Sequence, residues 1–376
     1  MNDTTSLVSP LVSYALQGLH HCWMPERGRF SYRYRFDAAG QANESLPELD
    51  TFYTLNVLLG LSRVPPSSSK IVDVADVYAT CCDEAGDPRW RIYTYGMALW
   101  AAAKLGISPP GRLIDATQAI LADRRKFEAL TAQDIGMLTS GAIAMTLAEG
   151  NRWRSMADRL AERIRTRYHH PTSNLFFNQG NGLRRAFSSF ASQVYSSLAL
   201  YQYGEAFQAD WALRIAKLAS SKLISLQGPR GEWAWFYYVP GGQVVDFYEV
   251  YSVHQHGMAP AFLHHAVAHD VVGARDALVK GFLWLFGTNE MEIPMLRPAE
   301  HMFYRSQVRK GELQTTWPRL RRSAVNTLSA RSDSVRRHLG LELRRECRSY
   351  ELGWILWSFG NRPDYAELAL RPEFGV

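Results

Sequence analysis

The chain has 376 residues, 47% of them hydrophobic and 21% charged. That balance excludes a disordered or low-complexity protein and fits a globular one. The formal charge of +6 is unevenly spread, because Arg305 to Arg348 holds twelve basic residues against four acids. Four cysteines (Cys22, Cys81, Cys82, Cys347) make no disulfide framework, so a reducing compartment is expected. The opening stretch MNDTTSLVSPLVSYALQGL lacks a basic run before its apolar residues. No segment reaches the roughly 18 apolar residues of a membrane span. A cytoplasmic location follows as the expectation.

Two kinds of helical segment alternate along the chain. Ser9–Trp23 is amphipathic, and the segment from Tyr53 (YTLNVLLGL) is apolar nearly all round. The pattern repeats with Ser69–Cys82 and then Tyr95–Gly106, and with Gly111–Phe127 and then Ser140–Gly150. It continues with Arg154–Tyr168 before Gln193–Gly204, Asp210–Ile224 before His256–Val267, and Arg275–Phe286 before Leu352–Gly360. A helix apolar on every side is buried, whereas a one-faced helix covers an exterior. The apolar segments mostly end at glycine, a natural helix stop. Most of their spacings suit a helix pair with its connection. The interval between the last two is about double, which leaves 288–345 the least regular region.

Six such pairs closing on themselves give an all-α fold, an (α/α)6 toroid, expected to be a single domain over 1–376. Connections from apolar to amphipathic segments are short. Those in the other direction are long: Met24–Glu48, His169–Ser188, Gln227–Tyr251 and Thr288–Trp317. In a closed ring these long loops share one rim, where function is expected. Aromatic alternation at 29–36, 174–177 and 232–251 predicts short strands or hairpins there, with a turn at Pro240-Gly241-Gly242.

A ring of six helical hairpins with decorated loops on one rim resembles the six-hairpin toroids of carbohydrate-active proteins. That group includes glycoside hydrolases, polysaccharide lyases and the helical domain of glucuronyl C5-epimerases. Tyr251-Ser252-Val253-His254-Gln255-His256-Gly257-Met258-Ala259 is similar to a Tyr-Ser-x-x-x-x-Gly-x-Ala stretch that opens an inner helix in the epimerases. The resemblance implies an oligosaccharide or polysaccharide substrate, with uronate among the candidates, and one of three reactions: hydrolysis, elimination or C5-epimerisation. A binding or scaffold protein of polysaccharide synthesis is the alternative.

Residues 232–256 hold the densest chemistry. Glu232, Asp246 and Glu249 supply carboxyl groups for hydrolysis, which needs an acid and a base or nucleophile across the bond. Tyr248 and His254 suit abstraction of a proton next to a carboxylate, with an arginine to offset the developing charge. These five are the catalytic candidates. Trp233, Trp235, Tyr251 and His256 are substrate-binding candidates beside them. Asp50 and Tyr53 at the first apolar helix, and Arg345, Arg348, Tyr350 and Glu351 at the last, join that set. Tyr95, Arg185 and Gln193 are candidates for the remaining sectors, with Tyr93 and Asp134. Asp50 also reads as an ordinary acid at a helix N-terminus.

No cofactor is expected, since no nucleotide-binding glycine motif occurs. His264, His265 and His269 lack a Glu or Cys at ligand spacing, so no metal is expected either. Nothing marks a specific nucleic-acid partner. The basic segment Arg305–Arg348 suits an acidic polysaccharide, or peripheral contact with a membrane surface.

Overall fold

The computed structural model describes residues 8–37, 40–68, 70–311 and 340–375. In chain order the outer helix α1 (Pro10–Cys22) precedes inner α2 (Pro47–Leu61), and outer α3 (Val74–Cys82) precedes inner α4 (Ile92–Leu105). Outer α5 (Gly111–Ala122) and the short α6 (Arg124–Glu128) lead to inner α7 (Ala132–Glu149). Outer α8 (Arg154–Arg163) leads to inner α9 (Phe190–Phe207), and outer α10 (Asp210–Ser225) to inner α11 (Ala259–Ala268). Outer α12 (Ala274–Leu283) precedes the last inner helix, α13 (Ser349–Phe359). A short α14 (Ala366–Ala369) follows.

The inner helices form a closed ring. Each packs on the next, from α2 through α4, α7, α9 and α11 to α13, and α13 packs back on α2. The outer helices lie behind the inner helix that precedes them, and α1 covers α13. Burial follows the hydropathy pattern. On α2 every residue from Asp50 to Leu61 is buried. On α5 only Leu113, Thr117, Ile120 and Leu121 are, one stripe at helical spacing.

Glycine permits the closest approaches in this ring. A Cβ on Gly60 would stand 2.4 Å from the Gly353 carbonyl oxygen, and one on Gly353 would stand 2.6 Å from Asn56 Oδ1. These contacts join the first inner helix to the last. Gly96 and Gly141 meet in the same way between α4 and α7, where a Cβ on Gly141 would lie 2.5 Å from the Gly96 oxygen.

Short strands dress the rim that carries the long loops. β1 (Trp23–Met24) pairs with β2 (Arg29–Phe30), and β3 (Arg33–Asp37) with β4 (Gly40–Glu44). β5 (Phe187–Ser189), β6 (Phe236–Tyr238) and β7 (Gln243–Asp246) make an antiparallel sheet. β8 (Val250–Tyr251) is the third strand of a sheet completed near the end of the chain, and β9 (Leu296–Arg297) pairs with β10 (Met302–Phe303). In the sheet with β8, β11 (Ser306–Arg309) lies between β8 and β12 (Leu341–Arg344). β13 (Glu346–Cys347) joins β3, which ties the last inner helix to the first long loop.

Several local expectations are corrected. The helix expected from Ser69 begins at Val74, because the Asp73 carboxylate accepts the N–H groups of Ala75 and Asp76. The run Gly111–Phe127 breaks at Asp123, which caps α6 in the same way. The run Arg154–Tyr168 ends in a π-turn over Ile164–Tyr168. Asn174–Phe177 forms no strand, only an isolated bridge from Phe176 to His169. Most of the basic stretch, at 312–339, lies outside the described residues.

Ring closure through glycine predicts that Gly60→Ala and Gly353→Ala each destabilise the fold by about 1–3 kcal/mol through overpacking. Denaturant midpoints should fall for both. Gly111→Ala, where nothing lies within 4 Å of the added carbon, should be neutral or stabilising.

Candidate active site

A cavity of about 290 Å³ opens on the long-loop rim. Every inner helix contributes to it from its first turns or the residues just before them. Leu49, Phe52 and Tyr53 come from α2, Tyr93 from α4 and Gln133 from α7. Ser189, Ala191 and Tyr195 come from the start of α9, and Tyr350 from that of α13. The π-turn His254–Met258 that opens α11 supplies both its end residues. Trp235, Tyr251 and Arg305 come from the loops. Six helix N-termini therefore face one cavity, and their macrodipoles favour an anion there.

Arg305 is fixed by its backbone. Its carbonyl accepts from Ser252 N at 2.8 Å and its N–H donates to the Arg344 carbonyl at 3.2 Å. The residues that follow it in β11 pair with Tyr251 and Val250 of β8. The guanidinium lies 4.9 Å from the Tyr251 ring centroid. Nη1 donates to Glu351 at 2.5 Å, and Nε stands 3.6 Å from Glu346. Its side chain keeps 13% exposure, whereas that of Glu351 has none. The cation therefore faces the cavity with its counter-charges behind it.

The aromatic walls are packed on one another. Tyr53 lies 4.5 Å from Tyr350 and 5.7 Å from Tyr32, centroid to centroid. His254 lies 4.7 Å from Phe190 and 5.1 Å from Tyr251. Burial, with Arg305 second, pushes the His254 pKa down to about 3, so its imidazole is neutral near pH 7. Burial pushes the phenols of Tyr93 and Tyr350 up to about 12 and raises those of Tyr53 and Tyr195. These side chains are uncharged proton carriers around one cation. The Tyr251 hydroxyl donates to Glu249 at 3.0 Å.

Of the residues expected at the site, Tyr53, Tyr93, Trp235, Tyr251, His254 and Tyr350 line the cavity. The carboxylates do not. Asp246 is fully buried and takes both Nη atoms of Arg309, at 3.0 and 2.7 Å. Glu249 binds Arg344 at 2.7 and 3.1 Å and accepts from Ser306, behind Tyr251. Glu232 is folded into its own loop, where Oε2 accepts from Arg230 N at 2.9 Å. Asp50 accepts from Leu46 N at 3.0 Å at the head of α2. Glu351 sits behind Arg305. Each is where a buried or helix-end charge finds a partner.

The other candidates are structural in placement. Tyr248 packs under Arg309, 4.7 Å from the guanidinium. Trp233 stacks on Phe190 in the core, and His256 lies buried 4.7 Å from the Phe303 ring. Gln193 accepts from Phe176 N and donates to Phe176 O and Ser188, which pins the loop before α9. Tyr95 packs on Trp90. Arg185 lies 4.0 Å over Phe177. Arg348 binds Glu346 at 2.6 Å and covers Tyr32 at 3.6 Å, and Arg345 is exposed. Asp134 completes a capping box on α7 and holds Tyr93 N at 2.9 Å. Sequence reasoning missed Gln133, Ser189 and Tyr195, and took Arg305 only as part of the basic stretch. Gln133, like the neighbours it joins, is found by taking the first turn of each inner helix. Arg305 carries no such signal.

Among the described residues no group of three His, Cys, Asp or Glu is placed to hold a metal ion. No helix among them is long and apolar enough to cross a membrane.

Solved structures with this architecture establish the fold class as the (α/α)6 toroid. The chain is similar to a cellobiose 2-epimerase from Bacillus thermoamylovorans, with a TM-score of 0.64 and 10% identity over 91% of this chain and 94% of that one. It is similar to an α-1,6-mannanase from Salegentibacter sp., with a TM-score of 0.57 and 11% identity over 94% and 98%. An unsaturated glucuronyl hydrolase from Streptococcus agalactiae gives 0.56 and 10% over 93% and 89%. No family model and no curated protein matches the chain.

The buried Glu351 gives a pH prediction. Burial outweighs the pull of Arg305 and Arg348 and moves its pKa from 4.5 up to about 7. A carboxyl raised on folding stabilises while protonated, so its contribution is present below 4.5 and lost as pH rises through about 7. Glu351→Gln should flatten the decline in stability between about pH 5 and pH 8. Denaturant midpoints of both proteins across that range check it.

Proposed function

We propose that the protein is an enzyme acting on a uronate-bearing oligosaccharide or polysaccharide, and that it removes the proton at C5 in an elimination or epimerisation. One observation carries this reading. The cavity presents Arg305, His254 and a set of tyrosines, and no described lining residue is a carboxylate. Hydrolysis in its common form needs two carboxyl groups flanking the bond. Proton abstraction next to a carboxylate needs an unprotonated base, a proton donor and a cation, and His254, the tyrosines and Arg305 are the lining groups of those types.

Each residue then has a role. Arg305 pairs with the uronate carboxylate and offsets charge as the C5–H bond breaks. Neutral His254 takes the proton. Tyr251, turning its hydroxyl proton from Glu249 to the substrate, is the proton donor, to the departing O4 in elimination or to C5 in epimerisation. Trp235, Tyr53 and Tyr350 offer flat faces to the sugar rings. Known proteins of the same fold support a carbohydrate substrate by name, as epimerase, mannanase and glucuronyl hydrolase. The four buried, unpaired cysteines favour the cytoplasm.

Turnover of uronate-bearing and neutral oligosaccharides tests the reading. His254→Ala should lower kcat by about 10²–10⁴-fold, the usual contribution of acid–base catalysis. Arg305→Gln should abolish the preference for uronate. Equal turnover of neutral substrates by the unaltered protein would defeat the proposal. Tight binding with no turnover would instead make this a binding protein.

A further inference from the structure

The ring has a second mouth. On the opposite rim, where the inner helices end, lies a cavity of about 320 Å³ lined from all six of them or the residues just beyond. It is separate from the first, since the two share no lining residue. Between them runs an aromatic column. Tyr195 lines the first cavity and lies 6.0 Å from Trp354, which lies 6.4 Å from Trp100 in the wall of the second.

Three cations line this second cavity: Arg63 after α2, Lys104 at the end of α4, and Arg362 after α13. Its one lining carboxylate, Glu205, is engaged by His265 at 2.7 Å and His269 at 3.0 Å. Helix C-termini attract cations, so caps on the last carbonyls are the ordinary explanation of such residues. The contacts do not fit it. Among the described residues, none of the three has a carboxylate within 4.0 Å or a hydrogen bond to a helix-end carbonyl. The Nε atoms of Arg63 and Arg362 are buried without a partner. Buried donors normally have one. Burial and the neighbouring Arg362 both act against the charge of Arg63, and burial and Arg63 against that of Lys104. Arg63 is meanwhile held 4.2 Å over the Trp357 ring, which packs on Trp100 at 4.9 Å.

We infer that this cavity binds a multiply charged oxyanion, namely the phosphate group of a small metabolite. Arginine forks suit phosphate oxygens. The volume accommodates a small phosphorylated molecule. The occupant relieves the repulsion among the three cations.

Titration with inorganic phosphate against chloride at equal ionic strength, read by thermal unfolding and calorimetry, tests this. Saturable stabilisation is expected in the unaltered protein and also in Arg305→Gln, which removes the cation of the first cavity. Arg63→Gln/Arg362→Gln should weaken phosphate binding at least tenfold without lowering the phosphate-free midpoint, because it removes repulsion. Arg362→Lys should retain much of the binding. A sugar phosphate or nucleoside monophosphate that binds tighter than inorganic phosphate identifies an organic part, whereas equal affinity identifies the phosphate alone. No saturable response, or one lost in Arg305→Gln and kept in the double variant, would overturn the inference. So would a double variant that is less stable without phosphate and a parent that ignores it, since the cations then serve only the helix ends.

Discussion

Closure of the inner ring is the constraint on which the rest depends. Six nearly apolar helices bury their surfaces only if the last packs on the first, and at that seam Gly60 and Gly353 let backbone approach backbone. Closure has an electrostatic consequence. All six inner helices point the same way, so their N-termini gather at one mouth and their C-termini at the other. The two ends of the ring thus acquire opposite partial charge before any side chain is considered. The long loops fall at the N-terminal mouth, where an anion is favoured.

Arginines and carboxylates from those loops sharpen the field. Arg305, Arg309, Arg344 and Arg348 all belong to the basic stretch, and each is neutralised by a buried acid: Glu351, Asp246, Glu249 and Glu346 respectively. Such pairs fix geometry more than they add stability, because burial of both charges offsets much of their attraction. Here Arg309 with Asp246 ties β11 to β7, Arg344 with Glu249 ties β12 to the residue before β8, and Arg305 with Glu351 ties the same region to the last inner helix. Tyr251 and Arg305 consequently reach the cavity, while the acids remain behind it. The neutral histidine and the high-pKa tyrosines follow from the same dry surroundings.

The architecture was legible because a helix declares its burial by its periodicity. The uniformly apolar α2 contrasts with the single stripe of α5, and that contrast repeats around the ring. The short helices and the π-turns were not legible, since they depend on single caps such as Asp73 and Asp123 and on local packing. In the site, Trp235, Tyr251, Tyr53, Tyr93 and Tyr350 were legible from position alone, whereas Trp233 and Tyr248 lie in the packing behind it. The acids were misplaced, because a sequence shows a charge but not its partner. Asp246 and Arg309 are 63 residues apart and lie on strands of two different sheets, β7 and β11, which only the fold brings together. Arg305 was hidden for the same reason, since only its pairing across β8 and β11 sets it in the cavity.

The most direct test of the account is solvent exchange at C5. A uronate-bearing oligosaccharide is incubated with the protein in deuterium oxide, and product mass and stereochemistry are followed. Deuterium at C5 in an epimerised product, or an unsaturated uronate from elimination, is expected, with either lost in His254→Ala. Cleavage that adds water, with no exchange at C5 and no unsaturation, would contradict it.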